Sequence, residues 1–146
     1  MKIGVMHGPN LGRLGERQPD IYGGTTLKSL QHQLAEAFPQ VSLLFFQSNH
    51  EGALIDRLES WRDEGVERLA INPGALTHQS YALRDAISGL GFLAVEVHIS
   101  NIYRREPFRA HSLIAPVCLG QISGLGVDGY RLAVQHLTHM VWPEKV

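Results

Sequence analysis

"ERLAINPGALTHQSYALRDAISGLGFLAVEVHI", Glu67 to Ile99, sets two short apolar runs on either side of a helix-length segment. "ERLAIN" (Glu67 to Asn72) and "FLAVEVHI" (Phe92 to Ile99) read as strands, and "PGALTHQ" as the loop that leaves the first. Between them "SYALRDAISGLG" places Ala82, Leu83, Ala86 and Ile87 on one helical face. Strand, helix, strand in this order predicts a parallel pair, because a crossover of that length packs back onto the sheet.

The same alternation extends in both directions. Upstream, "VSLLFFQ" (Val41 to Gln47) is a continuous apolar run, as expected of a strand covered on both faces. Ser48 and Glu51 have capping-box spacing at the start of "EGALIDRLESWRDEG", whose inward stripe is Leu54, Ile55, Leu58 and Trp61. Earlier still, "KIGVM" (Lys2 to Met6) predicts a first strand, and "TTLKSLQHQLAEAF" a helix with Leu27, Leu30, Leu34 and Phe38 together. Downstream, a short strand is expected around Pro116 to Leu119, with Cys118 inside it. Tyr130, Ala133, Val134, Leu137 and Val141 then mark a last helix. The expectation is an α/β fold, a parallel sheet with helices on both faces, in one domain over residues 1–146.

Composition narrows the function. At 146 residues with 44% apolar side chains the chain can bury a real core. Thirteen basic against 14 acidic residues give a formal charge of −1, which gathers neither nucleic acid nor anionic lipid, so a small-molecule or protein partner is expected. Cys118 is the single cysteine and the N-terminal apolar run is too short for a signal segment. Those features predict a soluble chain in a reducing, cytoplasmic setting.

In parallel sheets ligands bind beyond the carboxyl ends of the strands. The first strand is followed by "HGPNLGRLGERQPDIYGG", His7 to Gly24, a loop longer than compact domains usually carry. Such a segment is either a mobile excursion or a lid; Arg17 and Tyr22, a cation and a phenol hung from a strand end, favour the lid. Asn10 stays near its root. The third strand ends on Asn72 and, within the next loop, His78; both suit turn chemistry and both can reach a hydroxylated ligand. The fourth ends in "VEVHIS", where Glu96 and His98 share a face that burial would otherwise fill with apolar side chains. Either the two form a satisfied structural pair, or the carboxylate orients an imidazole that delivers a proton. Arg105 and Arg109 lie in the polar loop beyond.

Other features read as structural. "GLGVDG", Gly124 to Gly129, matches the dinucleotide fingerprint, but no later strand is expected between it and Val146 to carry a ribose-binding acid, so these glycines predict a tight turn and close helix packing. His136 and His139 share a helical face without a further ligand, which predicts solvated side chains and no metal. Cys118, without a basic neighbour, is expected to be inert.

Taken in order, "GPNLGRLGERQPDIYGG", "QSNHEG", "INPGALTHQSYALRDAI", "EVHISN" and "REPFRAHS" resemble type II 3-dehydroquinate dehydratase over essentially the whole chain. The resemblance implies a flavodoxin-like domain with strand order 2-1-3-4-5, assembled as a homododecamer, a tetramer of trimers. It implies a lyase that needs no cofactor or metal, dehydrating 3-dehydroquinate to 3-dehydroshikimate by anti elimination through an enolate, in shikimate-pathway biosynthesis or in quinate breakdown. Carried over residue by residue, the resemblance makes Tyr22 the base, His98 the acid, Arg17 the electrostatic aid, Asn10 the holder, through a water, of the enolate oxygen and Glu96 the group orienting the histidine. Asn72, His78, Arg109 and the Ile99 to Ser100 segment match substrate-binding positions, Asp85 an aspartate from a neighbouring subunit, and Arg105 a lid-associated arginine. Gln18, Gly12 and Pro107 depart from the common pattern, in or near the lid.

The chemistry sets a physical requirement. A phenol ionises near pH 10 in water, so a tyrosine base at pH 7 needs about 4 kcal/mol of help. One guanidinium about 4 Å away supplies roughly that much at an effective dielectric near 20. Rival readings are a flavin-binding module, a phosphorylated receiver and an oligomer subunit without a site. The first loop lacks a Ser/Thr-rich phosphate cradle, no acidic pair follows the first strand, and the third reading leaves Arg17, Tyr22, Glu96 and His98 unexplained.

Overall fold

A computed structural model of the chain describes residues 1–16, 18–22 and 24–140. Five parallel strands pair in the order β2-β1-β3-β4-β5: β1 Lys2–His7, β2 Ser42–Gln47, β3 Arg68–Asn72, β4 Leu93–His98 and β5 Gly120–Ser123. The helices are α1 Pro19–Tyr22, α2 Leu27–Ala37, α3 Glu51–Asp63, α4 Tyr81–Gly89 and α5 Asp128–His139. The expected alternation, strand order and flavodoxin-like layering are all present. Among the described residues no helix is long and apolar enough to cross a membrane.

Strand pleating divides the core into two layers. Ile3 and Val5 of β1, Ala70 of β3, and Val95 and Val97 of β4 face α2 and α5, meeting Leu30, Leu34, Tyr130, Ala133, Val134 and Leu137. Met6, Leu69, Ile71 and Ala94 face α3 and α4, against Leu54, Leu58, Trp61, Leu83 and Ile87. A fully buried aliphatic side chain of this size contributes about 2 kcal/mol, so the two layers dominate stability. The i, i+4 spacing of Leu30 and Leu34, of Leu54 and Leu58, and of Leu83 and Ile87 is what selects helix for these segments.

Several expectations shift. β2 is an edge strand: its Leu43 and Phe45 pack on one layer and Leu44 and Phe46 on the other, each only half-buried because no further strand covers its side. The Ser48 and Glu51 capping box does not form. Ser48 Oγ accepts from the His50 amide, and Glu51 instead accepts from Ser80 Oγ at 2.5 Å, joining the start of α3 to the start of α4. A capping box does form at α2, where Thr26 and Ser29 exchange side-chain and backbone bonds. Ala82 is exposed rather than inward. The last strand lies beyond the expected Pro116 to Leu119, which is instead a 3-10 turn over Ala115–Val117 followed by a short connection holding Cys118. Pro116, with no N–H to give a ladder, makes the apolar segment a poor strand, whereas Gly120–Ser123 pairs with β4 and stays half-exposed. Val141 lies outside the described residues.

The glycines of "GLGVDG" behave as expected of turn and packing residues. Gly124 has φ +91°, and a Cβ at Gly129 would press on Val97 and Ile122 at 3.2 and 3.3 Å, where α5 crosses the sheet. His136 and His139 are exposed on α5.

Candidate active site

The carboxyl ends of β1, β3 and β4 open into one pocket. β1 and β3 are held together there by backbone: the Gly8 amide donates to the Asn72 carbonyl at 2.8 Å, and a Cβ at Gly8 would run into the Pro73 carbonyl. That contact turns the first loop across the mouth of the site. Asn10 follows in a left-handed conformation (φ 71°), its amide donating to Asn49 Oδ1 at 2.9 Å. Asn10 and Tyr22 line the pocket from the first loop, Asn72 and His78 from the third, and His98, Ile99 and Ser100 from the fourth strand's end. Arg105 and Arg109 close its far side.

Two clusters carry charge. Tyr22 Oη accepts from Arg105 Nη1 at 2.9 Å, and the same nitrogen donates to Ser100 Oγ at 3.2 Å, so the guanidinium ties the first loop to the end of β4. Its Cζ also lies 5.6 Å from the centre of the Tyr22 ring. The second cluster sits on the α4 side of β4. Glu96 is fully buried and its Oε1 lies 3.5 Å from His98 Nε2. Thr77 Oγ1 and Ser112 Oγ donate to that oxygen at 2.8 and 2.7 Å, and Gln121 Nε2 donates to the other. Burial alone would raise the Glu96 carboxyl, but the hydrogen bond and charge of His98, together with Ser112 and Gln121, outweigh it and hold the group below the usual carboxylate range. A carboxylate kept ionised at zero exposure, beside an imidazole that lines a pocket, can orient that imidazole and support its positive charge.

The remaining positions hold the rim. His78 Nδ1 meets the His111 carbonyl at 2.7 Å and its ring stands edge-on to Phe108 at 5.6 Å, while Arg109 Nε donates to Glu106 at 2.9 Å. Asp85 is exposed on α4, away from this chain's pocket. Arg17 lies outside the described residues. Among the described residues no group of three or more His, Cys, Asp or Glu is gathered as metal ligands would be.

A family model described as dehydroquinase class II matches residues 1–138. This chain belongs to that family. Its relatives include the 3-dehydroquinate dehydratases of Roseiflexus castenholzii, 56% identical over 94% of this chain and 88% of that protein, and of Bacillus pumilus, 53% identical over 91% of each. The crystal structure of the type II dehydroquinase from Butyrivibrio crossotus superposes with a TM-score of 0.92 at 44% identity, covering 94% of this chain and 97% of that one.

Within this class II dehydroquinase, five polar residues around the site escaped the sequence reading. Thr77, Ser112 and Gln121 converge on Glu96, and Tyr130 and His7 stand behind Asn72. Thr77 and Ser112 sit inside the recognised motifs, next to His78 and shortly after Arg109, and a buried Glu demands such donors. Tyr130 carried a signal too: a tyrosine in an otherwise aliphatic stripe brings a hydroxyl that must be satisfied.

Proposed function

We propose that this class II dehydroquinase removes water from 3-dehydroquinate to give 3-dehydroshikimate, with Tyr22 as base and His98 as acid. Tyr22, as phenolate, takes the C2 proton, and the C–H electron pair moves to the C3 carbonyl as an enolate. Asn10, at the root of the loop, meets the charge that develops on that oxygen. Collapse of the enolate forms the C1–C2 double bond and expels the C1 hydroxyl, which His98 protonates to water. The proton now on Tyr22 and the one lost from His98 are exchanged with solvent, so the enzyme returns unchanged.

The observation that carries this reading is that Tyr22 and His98 line the same pocket and each has a charged partner of its own, Arg105 for the phenol and Glu96 for the imidazole. A guanidinium N–H on the phenol oxygen is a charge-assisted donor to the phenolate. Arg17 belongs to the proposal as a second cation on the same loop. Asn72, His78, Ile99, Ser100 and Arg109 are the proposed substrate-binding groups; Arg109 offers a rigid fork of donors suited to a polyol. In the proposed homododecamer, Asp85 would reach the pocket of a neighbouring copy, for which its exposed place on α4 is suitable.

The test is a spectrophotometric assay of the purified protein with 3-dehydroquinate and a chelator, following the ultraviolet absorbance of the conjugated enone, beside Tyr22→Phe. Rising absorbance for the wild type and none for the variant supports the reading. A folded wild type with no turnover defeats the activity, and a Tyr22→Phe enzyme that keeps most of its turnover defeats the assignment of the base.

A further inference from the structure

Behind Asn72, on the α5 side of the sheet, runs a buried chain of three polar side chains drawn from β1, β3 and α5. Gly74 N–H donates to Asn72 Oδ1 at 3.1 Å, which fixes which end of the amide is oxygen. Asn72 Nδ2 therefore faces Tyr130 Oη, 3.0 Å away, and donates to it. The Tyr130 proton must then go elsewhere, and His7 Nδ1 lies 3.0 Å from the same oxygen. It follows that His7 Nδ1 is the bare nitrogen and Nε2 carries the hydrogen. A proton on Nδ1 would set two donors on Tyr130 Oη and leave the phenol hydrogen without an acceptor. All three residues are buried, with His7 and Tyr130 fully enclosed and Asn72 3% exposed, and among the described residues His7 Nε2 has no partner, so this tautomer leaves one donor unmet where the other would leave two groups, the phenol hydrogen and a bare Nε2.

We infer that Tyr130 and His7 are positioning residues that lock the Asn72 amide in one orientation, so that the pocket offers its ligand a fixed N–H donor from Nδ2. A flipped amide would put NH2 against the Gly74 N–H, and only the Tyr130 and His7 pair penalises that flip from the other side. Asn72 then reads an acceptor on the substrate, a carbonyl, hydroxyl or carboxylate oxygen, and a ligand presenting a donor there is rejected. His7 is suited to the task because burial holds its ring down to about 3, far below 6.5, leaving it neutral and an acceptor at every working pH. The inference deepens the proposed dehydration and rests on that reading for its kinetic arm alone.

The experiment has two arms. Steady-state kinetics with 3-dehydroquinate compare wild type, Tyr130→Phe, His7→Leu and His7→Asn, each checked for folding by circular dichroism. Asparagine Oδ1 occupies the position of histidine Nδ1 along the side chain, so His7→Asn keeps the acceptor and His7→Leu deletes it. Tyr130→Phe and His7→Leu should raise KM about tenfold, the cost of one donor left free to turn away, with kcat changed less than about threefold. His7→Asn should restore KM relative to His7→Leu. Unchanged KM in folded Tyr130→Phe or His7→Leu, or a loss confined to kcat, overturns the lock. The second arm needs no turnover: nitrogen NMR of histidine-labelled protein, with His7 assigned by its absence in His7→Asn, should show Nε2 protonated, Nδ1 bare and no titration between pH 5 and 8. The opposite tautomer, or a titrating ring, overturns it even if no kinetic variant folds. A wild type without turnover would defeat the activity reading instead, and the NMR result alone would then judge the lock.

Discussion

Arg105 reaches across 83 residues of sequence to donate to the Tyr22 hydroxyl at 2.9 Å. The phenol rides on the loop after β1 and the guanidinium on the loop after β4, so the charged pair exists only when both loops are in place.

Removing that guanidinium takes away a hydrogen bond and a positive charge from the proposed base. Arg105→Ala is expected to lower kcat about 100-fold. Arg105→Lys keeps a charge but cannot hold Tyr22 and Ser100 with the same planar group, and should fall between. Stopped-flow measurement of single turnovers separates this loss from slow product release; an Arg105→Ala enzyme with wild-type single-turnover rate would remove Arg105 from the chemistry.

Glu96→Gln replaces a carboxylate that accepts three side-chain donors by an amide of the same shape. One N–H must then face a donor, at a cost of about 1–3 kcal/mol in stability, and the negative charge beside the His98 ring is gone. We expect kcat to drop by at least about tenfold and the thermal midpoint to fall. Because the folded carboxyl lies below its ordinary value, the stability it gives is complete above about pH 4.5 and is lost as pH falls through the lower folded value. The variant should therefore lose less of its stability than the wild type when acidified below pH 4.5, as urea titrations at several pH values would show.

His7 produces a pH effect at a different place. Its ring, held down to about 3 by burial, cannot take the proton that the unfolded chain accepts near 6.5. Stability is thus full above pH 6.5 and the folded-to-unfolded ratio falls about tenfold per pH unit between 6.5 and 3. His7→Asn should flatten that window and no other. Parallel curves for the two proteins between pH 6.5 and 4 would contradict the neutral buried ring.

Gly8→Ala tests the junction of the first and third loops. Its Cβ would collide with the Pro73 carbonyl, and neither backbone segment can yield without breaking the Gly8 amide bond to Asn72. Loss of more than about 3 kcal/mol is expected from denaturant unfolding, with activity lost in whatever fraction folds. Gly52→Ala, where nothing approaches the added carbon, serves as the control and should be near neutral or stabilising.

Much of this architecture is written in periodicity. Leu30 and Leu34, or Leu83 and Ile87, repeat at helical spacing because burial demands it, and "VEVHIS" announces a site because Glu96 and His98 break a buried strand's pattern. What periodicity cannot carry is pairing across the fold. Nothing local to Arg105 names Tyr22 as its partner, and nothing near Glu51 says that Ser80 will claim its carboxylate. β5 was misplaced because the apolar character of Pro116 to Leu119 outweighs that of Gly120–Ser123, while edge position and pairing with β4, both tertiary, favour the latter. Tyr130 scored as one more core aromatic because a helical stripe reports where a residue points and not what its hydroxyl must meet.

The sheet order also fixes when the site can come into being during synthesis. The proposed base enters at residue 22, beyond β1, and the proposed acid at residue 98, on β4, two strands separated in the sheet by β3, and Asn72 acquires its Tyr130 contact only from α5. Parallel pairing between distant segments forms late, since each crossover closes a loop before it gains contacts. A nascent chain that has not yet made α5 holds Tyr22, His98 and Asn72 in its sequence but lacks the Tyr130 hydroxyl that Asn72 meets, so the site is complete only once α5 has been synthesised.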